Sequence, residues 1–179
     1  MRAQLDDAAV IEDGDAVGDS HGAEAVGDNE RGAVLHQAAK RLLRERGMAQ
    51  AGKRAGRETT EGIVLSHVDE DRGTLVAIGS ETEPVSKNDA FLAFAQKVLE
   101  TVDQDGPEAA EKLEDERVDL VGKIGENIAI RGASRFDRDG DETITIAAYV
   151  HPPANKIGVL VKIRGSAEVA KQLAMHISF

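Results

Sequence analysis

Five aromatic residues, Phe91, Phe94, Phe136, Tyr149 and Phe179, are all that the 179 positions offer, so any core must be assembled from Val, Ile, Leu and Ala. The chain has no cysteine. Disulfides, thiolate metal sites, iron–sulfur clusters and cysteine nucleophiles are thereby excluded together, and stability has to come from aliphatic packing. The same scarcity removes the clustered rings on which single-stranded nucleic acid stacks. Lys+Arg 22 against Asp+Glu 33 leaves a net charge of −11, which repels phosphate backbones and anionic membranes unless the basic residues are segregated. The length suits one ordinary domain with an appendage. No stretch approaches the roughly 20 apolar residues of a membrane span, and no apolar run follows a basic start, so a cytoplasmic protein is expected.

The charge is in fact segregated. Residues 1–33 carry nine acids against Arg2 and Arg31, with five glycines and no aromatic; such a stretch cannot bury enough apolar area to offset its ordering entropy, and 1–36 reads as a disordered acidic tail. Residues 37–57 reverse the sign, with Lys40, Arg41, Arg44, Arg46, Lys53, Arg54 and Arg57 facing the single acid Glu45. This is a basic helical stretch, with Gly47 as a C-cap or break and an Ala-rich turn after it that has little to pack. A solvated helix accounts for it better than a nucleic-acid-binding one, because no aromatics are interleaved.

From residue 58 to 179 the pattern is that of an α+β domain. Ile63, Leu65 and His67 alternate as a half-buried strand, and 74–80 reads as a more buried partner across the turn 69–73. Ser86 precedes Asp89 at capping-box spacing, and Phe91, Phe94, Ala95, Val98 and Val102 then recur on one helical face. Pro107 suits the first turn of a further helix, whose apolar stripe continues through Val118, Val121 and Ile124 toward Ile128. A strand near 127–136 leads through the turn 138–141 to a strand at 142–150, and 152–155 turns into a strand at 156–163. A last helix, 167–177, is expected to point Val169, Leu173 and Ile177 inward. The expected fold is a small, mainly antiparallel sheet of four or five strands with helices packed on one face.

Several motifs fail on chemistry. Gly47, Gly52 and Lys53 match a phosphate-binding loop, but Arg54 stands where a magnesium-ligating hydroxyl is needed and a helix precedes the run instead of a strand. Asp137, Asp139 and Asp141 have the opening spacing of an EF-hand loop, yet Glu142 occupies the glycine position and Ala148 the position of the bidentate acid. A hairpin turn explains them. The histidines, His21, His36, His67, His151 and His176, show no two at ligand spacing on one element. No catalytic constellation, metal site or cofactor site is expected, and the chain reads as a non-enzyme. What stands out is the junction GSETEPVSKND (79–89), where a buried strand passes straight into a capped helix through an acidic, proline-containing turn that can present side chains to a partner.

The words LRERGMAQAGKRAGRETTEG (43–62), GTLVAIGSETEPVSKND (73–89), VGKIGENIAIR (121–131), AYVHPPANKIGVLV (148–161) and AKQLAMHISF (170–179), in that order and spacing, together resemble bacterial elongation factor Ts. The resemblance implies a guanine-nucleotide exchange factor that binds elongation factor Tu, loosens GDP and its magnesium ion, and performs no covalent chemistry. It also implies partner contacts at Glu81, Thr82, Glu83, Pro84 and Val85, at Ile124 and Gly125, and at His151, and it allows a homodimer through the core domain. The family's T-D-F-V signature falls on Thr82, Glu83, Pro84 and Val85, so Glu83 and Pro84 depart from it. The family's N-terminal three-helix module is not visible in residues 1–40, and family members usually continue past the position of Phe179. Residues 1–36 are accordingly expected to be foreign to the family. The rival readings are an RNA- or ribosome-binding module built on the basic helix and an inactive fragment of the factor.

Overall fold

The computed structural model describes residues 27–179, and the first 26 residues of the acidic tail lie outside the described residues. Internal contacts divide the chain into Met1–Ala38 and Ala39–Phe179. Helix α1, Gly27–Arg54, starts inside the stretch read as disordered and runs through both. Within the first unit, residues 32–38 are all exposed.

Gly47 is neither cap nor break. It is buried in the middle of α1, and a Cβ there would meet the Val118 carbonyl at 3.8 Å, while a Cβ on Gly122 would meet the Gly47 Cα at 3.4 Å. Gly47 thus faces α4, Glu114–Ile124, where a Cβ on either glycine would make ordinary van der Waals contact. Ala51, in the stretch thought to have little to pack, belongs to the main core at 5% exposure.

The second unit begins with strands β1, Glu61–Val68, and β2, Arg72–Ser80, paired antiparallel from Glu61↔Ser80 to Val68↔Gly73. Alternate residues of β2, namely Thr74, Val76, Ile78 and Ser80, are fully buried, as a strand with one face on a core requires. The two polar members have partners: Thr74 Oγ1 donates to Asp103 Oδ1 at 2.7 Å, and Ser80 Oγ donates to the Thr82 carbonyl at 3.1 Å. Strand β3, Ile128–Asp137, adds to the other edge of β2. A bulge opposite Ala77 and Ile78 leaves Arg131 as the extra residue, and its guanidinium donates to the Thr59 carbonyl.

Against this sheet packs α3, Asp89–Asp105, with Phe91, Phe94, Ala95, Val98, Leu99 and Val102 buried on one face. The N-cap is Asn88, not Ser86: its Oδ1 accepts from Ala90 and Phe91 N–H. Ser86 instead closes a separate one-turn helix, α2, Glu83–Ser86, by donating from Oγ to the Glu83 carbonyl at 2.7 Å. Pro107 opens a 3-10 helix, Pro107–Leu113, which leads into α4. Ile128, toward which the helical stripe points and which opens the expected strand near 127–136, is the fully buried first residue of β3.

The strands form two sheets where one was expected. Strands β4, Ile144–Val150, and β5, Gly158–Arg164, pair only with each other, so the turn 138–141 joins two sheets and is not a hairpin between β3 and β4. The sheets mesh through reciprocal glycines. A Cβ on Gly158 would meet Val64 Cγ1 at 2.4 Å, and one on Gly73 would meet Ile146 Cγ2 at 2.4 Å. The final helix, α5, Ala167–Ile177, buries Ala170 and Ala174 instead of Val169, Leu173 and Ile177, which are exposed. Two small residues let the helix axis come close to Val161 and its neighbours, leaving the larger side chains on the outer face. The fold class stands as α+β with small antiparallel sheets.

Candidate functional site

The junction after β2 is built by residues far away in sequence. Thr82 is the N-cap of α2, yet its side chain makes no bond to its own helix. Its Oγ1 donates to Glu126 Oε1 at 2.7 Å and its backbone N–H donates to Glu126 Oε2 at 3.0 Å. One carboxylate therefore holds both the backbone and the side chain of the residue that starts α2. Glu81 turns the other way: its Oε1 accepts the Asn127 N–H at 2.6 Å and its Oε2 accepts from Arg57 Nη1 at 3.3 Å. Buried Asn127 donates from Nδ2 to the Arg57 carbonyl at 2.7 Å.

Glu126 and Asn127 reach these positions because α4 stops just before them. Gly125 takes a left-handed conformation, φ 87, at the end of α4, and its N–H donates to the Val121 carbonyl; glycine adopts this cap without the Cβ penalty that other residues meet. Arg117 steadies the same corner by donating to the Ile128 carbonyl at 2.7 Å while it pairs with Glu114.

The eight residues expected at the partner surface divide accordingly. Thr82, Glu83 and Pro84 are exposed, whereas Val85 and Ile124 pack against the main core and Glu81 is engaged inward. Gly125 shapes the backbone. His151 is not joined to this group by any described hydrogen bond; it meets Tyr149 Oη through Nδ1 at 3.3 Å and the Phe179 ring edge-on at 5.1 Å. Glu126 and Asn127 were not singled out from sequence, and Arg57 stood out only as part of the basic stretch. The signal for the first two is the glycine-led GEN run, which promises a helix end but not a partner 44 residues upstream.

Charge on α2 is balanced locally. Lys87 Nζ donates to Glu83 Oε1 at 2.7 Å, and this hydrogen bond holds the Glu83 carboxyl below its ordinary value and the Lys87 ammonium above its own. Elsewhere, Asp137, Asp139 and Asp141 pair with Arg135, Lys162 and Arg164 respectively, as a turn stapled by cations would have it. His67, Asp69 and Asp103 bring one donor each to within 4.8 Å of one another, with the first two exposed. The helix runs unbroken through Gly47–Arg54, so the phosphate-loop match has no loop. Among the described residues no helix is long and apolar enough to cross a membrane.

The Arg117 corner has a pH dependence. Hydrogen bonds from Arg117 hold the Glu114 carboxyl below its ordinary value of 4.5. A depressed folded value means that the stabilisation is complete above the unfolded value and disappears as pH falls through the folded one. The wild-type urea midpoint should therefore exceed that of Glu114→Gln at pH 6, with the gap narrowing as the pH is taken down below 4.5. A gap that stays constant with pH would show that the pair contributes nothing through ionisation.

The family described as elongation factor TS matches residues 81–179, from the first residue of the junction to the end of the chain. Elongation factor Ts of Paraburkholderia xenovorans is 44% identical over 151 residues, covering 78% of this chain and 50% of the relative. That of Alkalilimnicola ehrlichii is 40% identical over 154 residues, covering 79% and 51%, and that of Albidiferax ferrireducens 37% over 154 residues, covering 78% and 48%. The chain spans about half the length of these relatives. On the family match and these identities together, the chain belongs to the elongation factor Ts family.

Proposed function

We propose that this chain binds the GTPase elongation factor Tu in the cytoplasm and promotes release of its GDP, with no covalent step. The observation that carries the reading is the bracket of Glu126 and Asn127, which fixes Thr82 and Glu81 while leaving Thr82, Glu83 and Pro84 exposed. A short rigid projection held from behind is what pressing on a nucleotide site requires, since ordering it beforehand removes that cost from binding. Exchange then follows from linkage. A surface that prefers the nucleotide-free GTPase must lower the affinity for GDP by the same factor that GDP lowers its own.

The test is the rate of fluorescent GDP release from elongation factor Tu with and without the chain. Acceleration at micromolar concentrations supports the reading, and none overturns it. Pro84→Phe should lower the half-saturating concentration about tenfold, because a ring at the tip of α2 adds apolar contact of on the order of 1.4 kcal/mol. An unchanged value would mean that position 84 does not enter the interface, and a higher one that a ring there clashes with the partner instead of adding contact.

A further inference from the structure

Lys156 stands just after the β4–β5 turn and pairs with Glu61 at the start of β1. The Glu61 carboxylate oxygen that faces the Lys156 ammonium is buried, so the lysine is the counter-charge that makes its burial tolerable. The same lysine lines a groove of about 420 Å³ across from Glu83, Ser86 and Lys87, with Ile63 and Leu92 also in its wall. Its charge reinforces the larger effect of Lys87 in holding the Glu83 carboxyl down. The turn beside it is anchored in turn, because the Val64 N–H donates to the Asn155 carbonyl at 2.7 Å.

Helix α2 needs outside support. A single turn is too short to sustain itself, and its own bonds are long, 3.4 Å from Ser86 N to the Thr82 carbonyl and 3.3 Å from Lys87 N to the Pro84 carbonyl. Glu126 holds its first end. Its outer flank faces the turn that carries Lys156. We propose that Lys156 is a positioning residue that ties the β4–β5 turn to α2 and so fixes the orientation of the exposed Glu83–Pro84 face. The consequence for exchange rests on the function proposed above; the positioning itself does not.

Amide hydrogen exchange reads the positioning directly. In Lys156→Met the Ser86, Lys87 and Asn88 amides should exchange about fivefold faster while those in the middle of α3 stay as they were. In GDP release from elongation factor Tu, the half-saturating concentration should rise about tenfold with the maximal rate unchanged. Because removing Lys156 also strips Glu61 of its partner, the double variant Glu61→Gln/Lys156→Met is made alongside. It should recover the urea midpoint but keep the fast α2 amides, and Lys156→Arg should match the wild type in all three measurements. The proposal is overturned if α2 protection is unchanged in Lys156→Met, or if the double variant restores it. A wild-type chain that releases no GDP would defeat the exchange reading, and the amide measurement would still decide the role of Lys156.

Discussion

Phe91→Ala is expected to destabilise the second unit by about 3–5 kcal/mol, the usual cost of deleting a fully buried ring. Phe91 has no solvent exposure and is the largest of the fully buried side chains. It sits on α3 in the main core with Val76, Ile78, Ile128 and, three residues further on, Phe94, where close packing lets the surroundings relax only partly into the gap. Against a total stability of about 5–15 kcal/mol for a domain, such a loss leaves little reserve. The melting temperature should fall by roughly 10 °C, and calorimetry measures it. A drop of under 2 °C or so would mean that the core collapses around the cavity far better than its packing suggests.

Glu81→Ala should cost about 2–3 kcal/mol, since a charged acceptor is withdrawn from a part-buried donor. The carboxylate has 19% side-chain exposure and takes both the Asn127 N–H and Arg57. Its removal orphans the first and frees the second. Glu81→Gln keeps one acceptor and should lose about half as much. The same variants bear on the proposed function in order, with alanine weakening GDP release from elongation factor Tu more than glutamine does. If urea unfolding finds alanine and wild type alike, the Asn127 contact is not a support for the junction.

The passage of a buried strand into a capped helix marked the junction at 79–89 but not its mechanics. Glu81 and Glu83 look alike as letters, two acids either side of a threonine, and they end on opposite duties. One faces Asn127 and the other solvent. Glu83 pairs locally with Lys87, whereas nothing beside Glu81 announces its role, because its partners Asn127 and Arg57 lie 46 residues downstream and 24 upstream.

Periodicity carried the α3 face, since its large residues recur only on one side. It misled at α5, where Val169, Leu173 and Ile177 repeat every four residues and so do Ala170 and Ala174. Spacing alone does not say whether bulk or closeness wins, and the distance to β5 decides it. Gly47 failed as a helix stop for a related reason. A glycine read as conformational freedom sits inside an unbroken helix and faces Gly122 of α4, a neighbour that no local window contains.

The paired hollows at Gly158 and Gly73 tie the evolutionary fates of the two sheets together. A methyl gained on one side has room only if the facing branched residue, Val64 or Ile146, is trimmed, so drift at these four positions should proceed in coupled steps. A chimera that takes β1–β2 from one homologue and β4–β5 from another would inherit mismatched halves unless those pairs are swapped together.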